Sequence, residues 1–132
     1  MKTNAGNDFQ ALVMAGAGNG TGTSAPANYM ALTANSTAPN VTDTTLAGEI
    51  TTASGGLIRK SCPYGHTAGA ASYTLTPVYT ANGSDVLPVT VAKIGVFNAS
   101  SAGTMVFETT LSSTATLSAS GDQLTITETV TL

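Results

Sequence analysis

The sequence predicts an all-β protein: an antiparallel β-sandwich, jelly-roll or Ig-like, preceded by a short N-terminal helix and a glycine-rich arm. Three observations carry that prediction. From Tyr29 onward, short runs of Thr, Val, Leu, Ile and Tyr are separated by Gly, Asn, Asp, Ser and Pro, the residue chemistry of strands and turns. The turn signals recur at roughly the 8 to 12 residue spacing of a sandwich or barrel. Several runs also alternate apolar and polar residues with a period of two, which gives each strand an inward and an outward face. A chain of 132 residues is long enough to bury one core, so the expected organisation is a helix and arm over residues 1–28 and a β-sandwich domain over residues 29–132.

Taken in order, Asn7 or Asp8 offers an N-cap, and Phe9, Leu12 and Val13 recur at helical spacing before Gly16 provides a stop. A helix is therefore expected over residues 9–15. The run from Gly16 to Gly22 has almost no side-chain bulk and reads as a hinge or connector, continuing into an arm through Pro26. It lacks the G-x-G-x-x-G spacing and the following Lys-Ser or Lys-Thr of a phosphate-binding loop. Strands are expected at residues 29–33, 46–51, 57–64, 72–79, 89–98, 104–109, 115–118 and 123–132.

In the last of these, Leu124, Ile126, Glu128, Val130 and Leu132 share one face and four threonines the other. The segment 89–98 places Val89, Val91, Lys93, Gly95 and Phe97 opposite Thr90, Ala92, Ile94 and Val96, so it is apolar on both sides and is expected to be a central strand covered on both sides, or one covered by a second subunit. Met105 and Phe107 oppose Val106 and Glu108 in the same manner. Asn82-Gly-Ser-Asp85 and Ala119-Ser-Gly-Asp122 are turn sequences, and Asn98 to Gly103 reads as a wider hairpin loop.

Composition narrows the function. Charged residues make up 8% of the chain, against about a quarter in an average soluble protein. The surface is then built from hydroxyls, amides and small apolar groups, and few charges hold neighbours apart or need desolvating when a contact forms. Four scattered basic residues and a net charge of −3 provide no stripe to neutralise phosphates, so nucleic-acid binding is not expected. No apolar run approaches the roughly 18 residues of a membrane-spanning helix, and the first residues lack the apolar core of an export signal, so no membrane association is expected.

The chain has one cysteine and one histidine. A structural zinc site needs four ligands, so Cys62 and His66 are not expected to hold a metal. Read on one extended strand they stand roughly 13 Å apart, too far for a Cys–His nucleophile couple, by a rise of about 3.3 Å per residue. The seven carboxylates are spread singly, and the chain has no tryptophan to line a glycosidase cleft. Glu49 interrupts the apolar run from Leu46 to Ile50 and is expected to pair with Arg59 on a nearby strand. No catalytic residues, no cofactor and no metal are assigned, and the chain is read as a structural or binding module instead of an enzyme.

The ordered blocks Ala31-Leu-Thr-Ala-Asn, Asp43-Thr-Thr-Leu-Ala-Gly-Glu-Ile50, Gly56-Leu-Ile-Arg59, Tyr73-Thr-Leu-Thr, Ala92-Lys-Ile-Gly-Val-Phe-Asn98, Gly103-Thr-Met-Val-Phe-Glu108 and Gly121-Asp-Gln-Leu-Thr-Ile126 resemble a family of small virion proteins of tailed bacteriophages. That resemblance implies a decoration, cement, collar or tail-associated component. It implies a homo-oligomer fixed to capsid, portal, neck or tail proteins, and a place in the virion after assembly in the host cytoplasm; a trimer is the oligomer expected here. Phe9, Leu12 and Val13 are the residues expected to serve assembly. The competing expectation is a host-attachment or carbohydrate-binding module of a fibre or adhesin, which requires exposed tyrosines, from among Tyr29, Tyr64, Tyr73 and Tyr79, lining a groove.

Overall fold

The computed structural model describes residue 1, residues 3–16 and residues 25–132, with the backbone alone at residues 6–9. Most of the expected glycine-rich hinge therefore lies outside the described residues. The remainder is an antiparallel, sandwich-like β fold with one helix, α1, at Asn4–Ala15.

The helix begins earlier than the apolar spacing alone predicts, because Thr3 occupies the N-cap position, where a hydroxyl residue is favoured. It ends where Gly16 was expected to stop it. The Gly16 N–H donates to the Leu12 carbonyl at 2.9 Å, the returning Ala27 N–H donates to Met14 at 2.7 Å, and Asn28 Nδ2 donates to Ala15 at 3.4 Å. Last-turn carbonyls that would lack partners are thereby satisfied. Ala11 and Ala15, one turn apart, are fully buried, so α1 shares the core of the sandwich it precedes.

The first layer is a four-stranded sheet ordered β2-β1-β6-β7, from β1 (Tyr29–Thr33), β2 (Lys60–Ser61), β6 (Val89–Phe97) and β7 (Met105–Leu117). The second contains β3 (Tyr64–Gly65), β4 (Ser72–Leu75), β5 (Val78–Thr80), β8 (Gln123–Thr125) and β9 (Glu128–Thr131), paired as β3-β4-β9 and β5-β8. The expected strands 72–79 and 123–132 are each broken in two, yet they keep one register. Leu75 faces Glu128 on one side of the gap and Val78 faces Thr125 on the other, with no offset between. Pro77 causes the break, since it has no N–H to give the ladder, while its carbonyl still accepts from Ile126 at 3.2 Å.

Because register survives, so does side-chain parity. Ile126 and Val130 are buried, Leu124 and Leu132 pack on the core, and Thr125, Thr127, Thr129 and Thr131 are exposed, as the alternation predicts. The core between the layers joins Met30, Leu32, Val91, Ile94 and Val96 of the first sheet to Tyr73, Leu75, Tyr79, Ile126 and Val130 of the second.

Strand β6 is central and covered on both sides, as expected, but its parity changes midway. Val91 pairs with Ala115 and Lys93 with Thr110, so Ala92 alone, without a paired residue, stands opposite the four bulged residues Leu111 to Thr114 of β7. Val91, Ile94 and Val96 consequently face the main core together, while Phe97 joins a second cluster with Ala31 and Leu46 on the outer face. A further offset at Val106 separates Met105, on the outer face, from Phe107, on the core side.

Other expectations change for identifiable reasons. Residues 46–51 are not a strand: Gly48 takes φ +70°, and Glu49 alone bridges to Thr33. The expected strand 57–64 crosses between layers at Cys62-Pro63, giving the short β2 and β3 in different sheets. The expected strands 104–109 and 115–118 are a single bulged strand, β7. The Ala119 to Asp122 turn uses Gly121 at φ +97°, and the 98–103 loop uses Ala102 and Gly103 at +49° and +73°.

Candidate functional site

The concentrated polar chemistry of the molecule lies on the outer face of the β2-β1-β6-β7 sheet, beneath the long segment connecting β1 to β2. Bare apolar packing there is slight, limited to Ala31, Leu46 and Phe97 with Tyr29 and Met105 beside them. Charged and hydroxyl groups hold the segment down.

Arg59 is the first anchor. Its Nε and Nη2 donate to the two carboxylate oxygens of Glu49, each at 2.9 Å, and its Nη1 donates to the carbonyls of Ala99 at 3.1 Å and Ala102 at 2.8 Å. The guanidinium also stacks over the Phe97 ring. The expected Glu49–Arg59 pair is therefore present, in the two-pronged geometry that only arginine makes. With its fork engaged by the protein itself, Arg59 ties together three stretches of chain and is not presented to a ligand.

Lys93 and Glu108 form the second anchor, on adjacent strands of the sheet. Their side chains are 2% and 6% exposed, they are in ion-pair contact, and Lys93 Nζ donates to the Thr37 carbonyl at 3.0 Å. Glu108 Oε2 is buried without a hydrogen-bond partner among the described residues. Thr33, also fully buried, donates from Oγ1 to the Ala47 carbonyl at 2.7 Å and accepts from the Asn35 N–H at 3.0 Å. Sequence reading passed over this pair, although its signal was present: a lysine within Val91 to Phe97 and a glutamate directly after Met105-Val-Phe are each isolated charges in apolar runs, as Glu49 is.

Asp85 is the third anchor. Its carboxylate accepts from the backbone N–H groups of Gly56 at 2.9 Å, Leu57 at 3.4 Å and Asn82 at 2.8 Å, binding the 54–57 turn to the 82–85 turn. Gly56 is needed at this junction, since a Cβ there would lie 1.7 Å from the Thr80 carbonyl oxygen.

Cys62 and His66 are not brought together. Cys62 belongs to the main core at 7% exposure, and burial pushes its thiol up to about 12, which suppresses the reactive thiolate. His66 follows β3 in the other layer, where its Nδ1–H donates to the Ser72 carbonyl at 2.9 Å. Among the described residues no three His, Cys, Asp or Glu side chains are grouped as a metal site, and no helix is long and apolar enough to cross a membrane.

Two of the four tyrosines are buried and cannot line an exposed groove, while Tyr29 and Tyr64 are half-buried. Tyr73 and Tyr79 are 1% and 0% exposed, and Tyr79 donates its hydroxyl to the Met30 carbonyl at 2.6 Å. Burial raises both phenols, that of Tyr73 to about 12. On α1, Leu12 and Val13 are 46% and 47% exposed; the Phe9 side chain lies outside the described residues.

Comparison with protein-family models, curated proteins and solved structures finds no match. The functional reading therefore rests on the chemistry of the chain itself. Its polar groups brace one loop against one sheet, and they do so with partners internal to the molecule.

Proposed function

We infer that this chain is a structural protein of a tailed-bacteriophage virion, one that self-associates and decorates or stabilises the capsid or the neck and tail. The observation that carries the reading is where the charges are spent. Two of the four basic residues, Arg59 and Lys93, are committed to internal pairs with Glu49 and Glu108. What remains outside is dominated by threonine, serine and small apolar side chains, a surface that can be covered with little desolvation penalty. The polar anchors supply rigidity without a disulfide, and rigidity without covalent help suits a particle component.

The test is reconstitution. Purified chain added to virions that lack it is expected to bind saturably, and imaging of the loaded particle is expected to place its density on the capsid exterior, neck or tail. Failure to bind such particles at any concentration overturns the reading.

A further inference from the structure

We propose that the cavity between the 39–43 loop and β7 is a cation site, and that its ligand is a primary alkylammonium group, the chemistry shared by a lysine side chain and a free alkylamine. The inference stands on this cavity and does not depend on the virion reading.

The loop covers two cavities on the outer face of the sheet, and Asp43 and Glu108 line both. The first, of about 290 Å³, also contains Lys93 among Thr37, Thr44 and Thr45. There Lys93 engages Glu108 Oε1 and the Thr37 carbonyl. The second, of about 340 Å³, is walled by Pro39, Val41, Met105 and Val106, and Lys93 is absent from its walls. One oxygen of Glu108 is thus spent on the lysine side. The other, Oε2, is the buried oxygen with no hydrogen-bond partner among the described residues, on a side chain only 6% exposed. An ionised oxygen left bare in the interior is costly, and native folds satisfy such an atom with water or a bound group.

Charge points to a cation. Lys93 contributes +1, and Glu108 and Asp43 contribute −1 each, so the loop and sheet hold a net −1 between them. Asp43 is exposed and secures its own turn through one oxygen, Oδ2 accepting from the Asn40 N–H at 3.0 Å. The other described basic side chains are engaged elsewhere, Arg59 with Glu49 and Lys60 with the Val78 carbonyl. One further positive charge brings the site to neutrality.

The walls decide which cation. Calcium takes roughly six to eight oxygens, whereas no three His, Cys, Asp or Glu side chains are grouped here among the described residues. Four apolar residues flank the two carboxylates instead, and two of them, Val41 and Val106, are exposed. Apolar side chains beside an acidic end match a cation carried on hydrocarbon. The methylenes cover Val41 and Val106, and the three donors of the ammonium meet Asp43 and Glu108.

An NMR titration of the full chain tests this, with methylammonium, butylammonium and Nα-acetyl-lysine methylamide as probes at constant ionic strength. Saturable shifts are expected in the amides of residues 40–43 and 105–109 and in the carboxyl carbons of Asp43 and Glu108. Butylammonium is expected to bind about tenfold more tightly than methylammonium, since a buried methylene contributes up to about fourfold. Asp43→Asn, which keeps an oxygen for the Asn40 N–H, and Val41→Ser/Val106→Ser are each expected to weaken butylammonium binding roughly fivefold or more with the thermal midpoint unchanged. Blocked lysine binding as tightly as butylammonium upholds the site with a protein side chain as its source of ligand; butylammonium binding alone upholds it with a free amine. The proposal is overturned by the absence of saturable shifts with every amine, by equal affinity for methylammonium and butylammonium, by calcium chloride producing the same shifts at lower concentration, or by unchanged binding in the variants.

Discussion

The guanidinium carbon of Arg59 sits 3.5 Å from the centre of the Phe97 ring while its nitrogens grip both oxygens of Glu49. Stack and fork demand a planar cation. Arg59→Lys keeps the charge but loses the two-pronged bond, the bonds to Ala99 and Ala102 and the flat contact, so it is expected to destabilise the fold by about 2 kcal/mol. Urea denaturation measures this, and a double-mutant cycle with Phe97→Leu separates the stacking from the hydrogen bonds.

The Lys93–Glu108 pair behaves oppositely to a surface pair. Removing one partner leaves the other as an uncompensated charge in the interior, so Glu108→Leu alone is expected to cost about 3–5 kcal/mol. Lys93→Met combined with Glu108→Leu removes both charges and is expected to recover most of that loss. Equal destabilisation in the single and double variants would show that the pair is not buried as described.

Asp85→Ala removes the acceptor for three backbone N–H groups at the junction of two turns. A loss of about 2 kcal/mol is expected, with amide exchange accelerated first at Gly56, Leu57 and Asn82. Gly56→Ala is expected to be worse, since the added methyl collides with backbone instead of a movable side chain.

Stability is expected to fall in alkali. Burial holds Cys62 and Tyr73 protonated up to about 12 in the folded chain, against ordinary values of 9.0 and 10.0. The folded state therefore binds more protons than the unfolded state above pH 9, and stability declines from there towards pH 12, by about 1.4 kcal/mol per pH unit for each group so affected. Denaturation over a pH series checks the slope, and tyrosinate absorbance from Tyr73 and Tyr79 is expected to appear only with unfolding. Thiol reagents are likewise expected to reach Cys62 only after denaturation.

Much of this architecture was legible as chemistry of individual residues. Alternation in residues 123–132 correctly gave the inward face through Ile126 and Val130 because a break at Pro77 on the neighbouring strand shifted nothing. Alternation failed in β6 because an unpaired Ala92 leaves no mark in a local pattern; its presence depends on what β7 does opposite, more than ten residues away. Residues 46–51 looked like a strand by composition, but only tertiary context shows that Gly48 turns the chain there. The Glu49–Arg59 pair was readable because both charges were conspicuous, whereas Lys93 with Glu108 required knowing that two separate apolar runs are neighbours.

The burial of Ala11 and Ala15 makes α1 a stopper in the sandwich instead of a tentacle hung from it. Tension applied to the first residues is transmitted straight to the packed interior, so any load borne at that end pulls on the same side chains that hold the two layers shut.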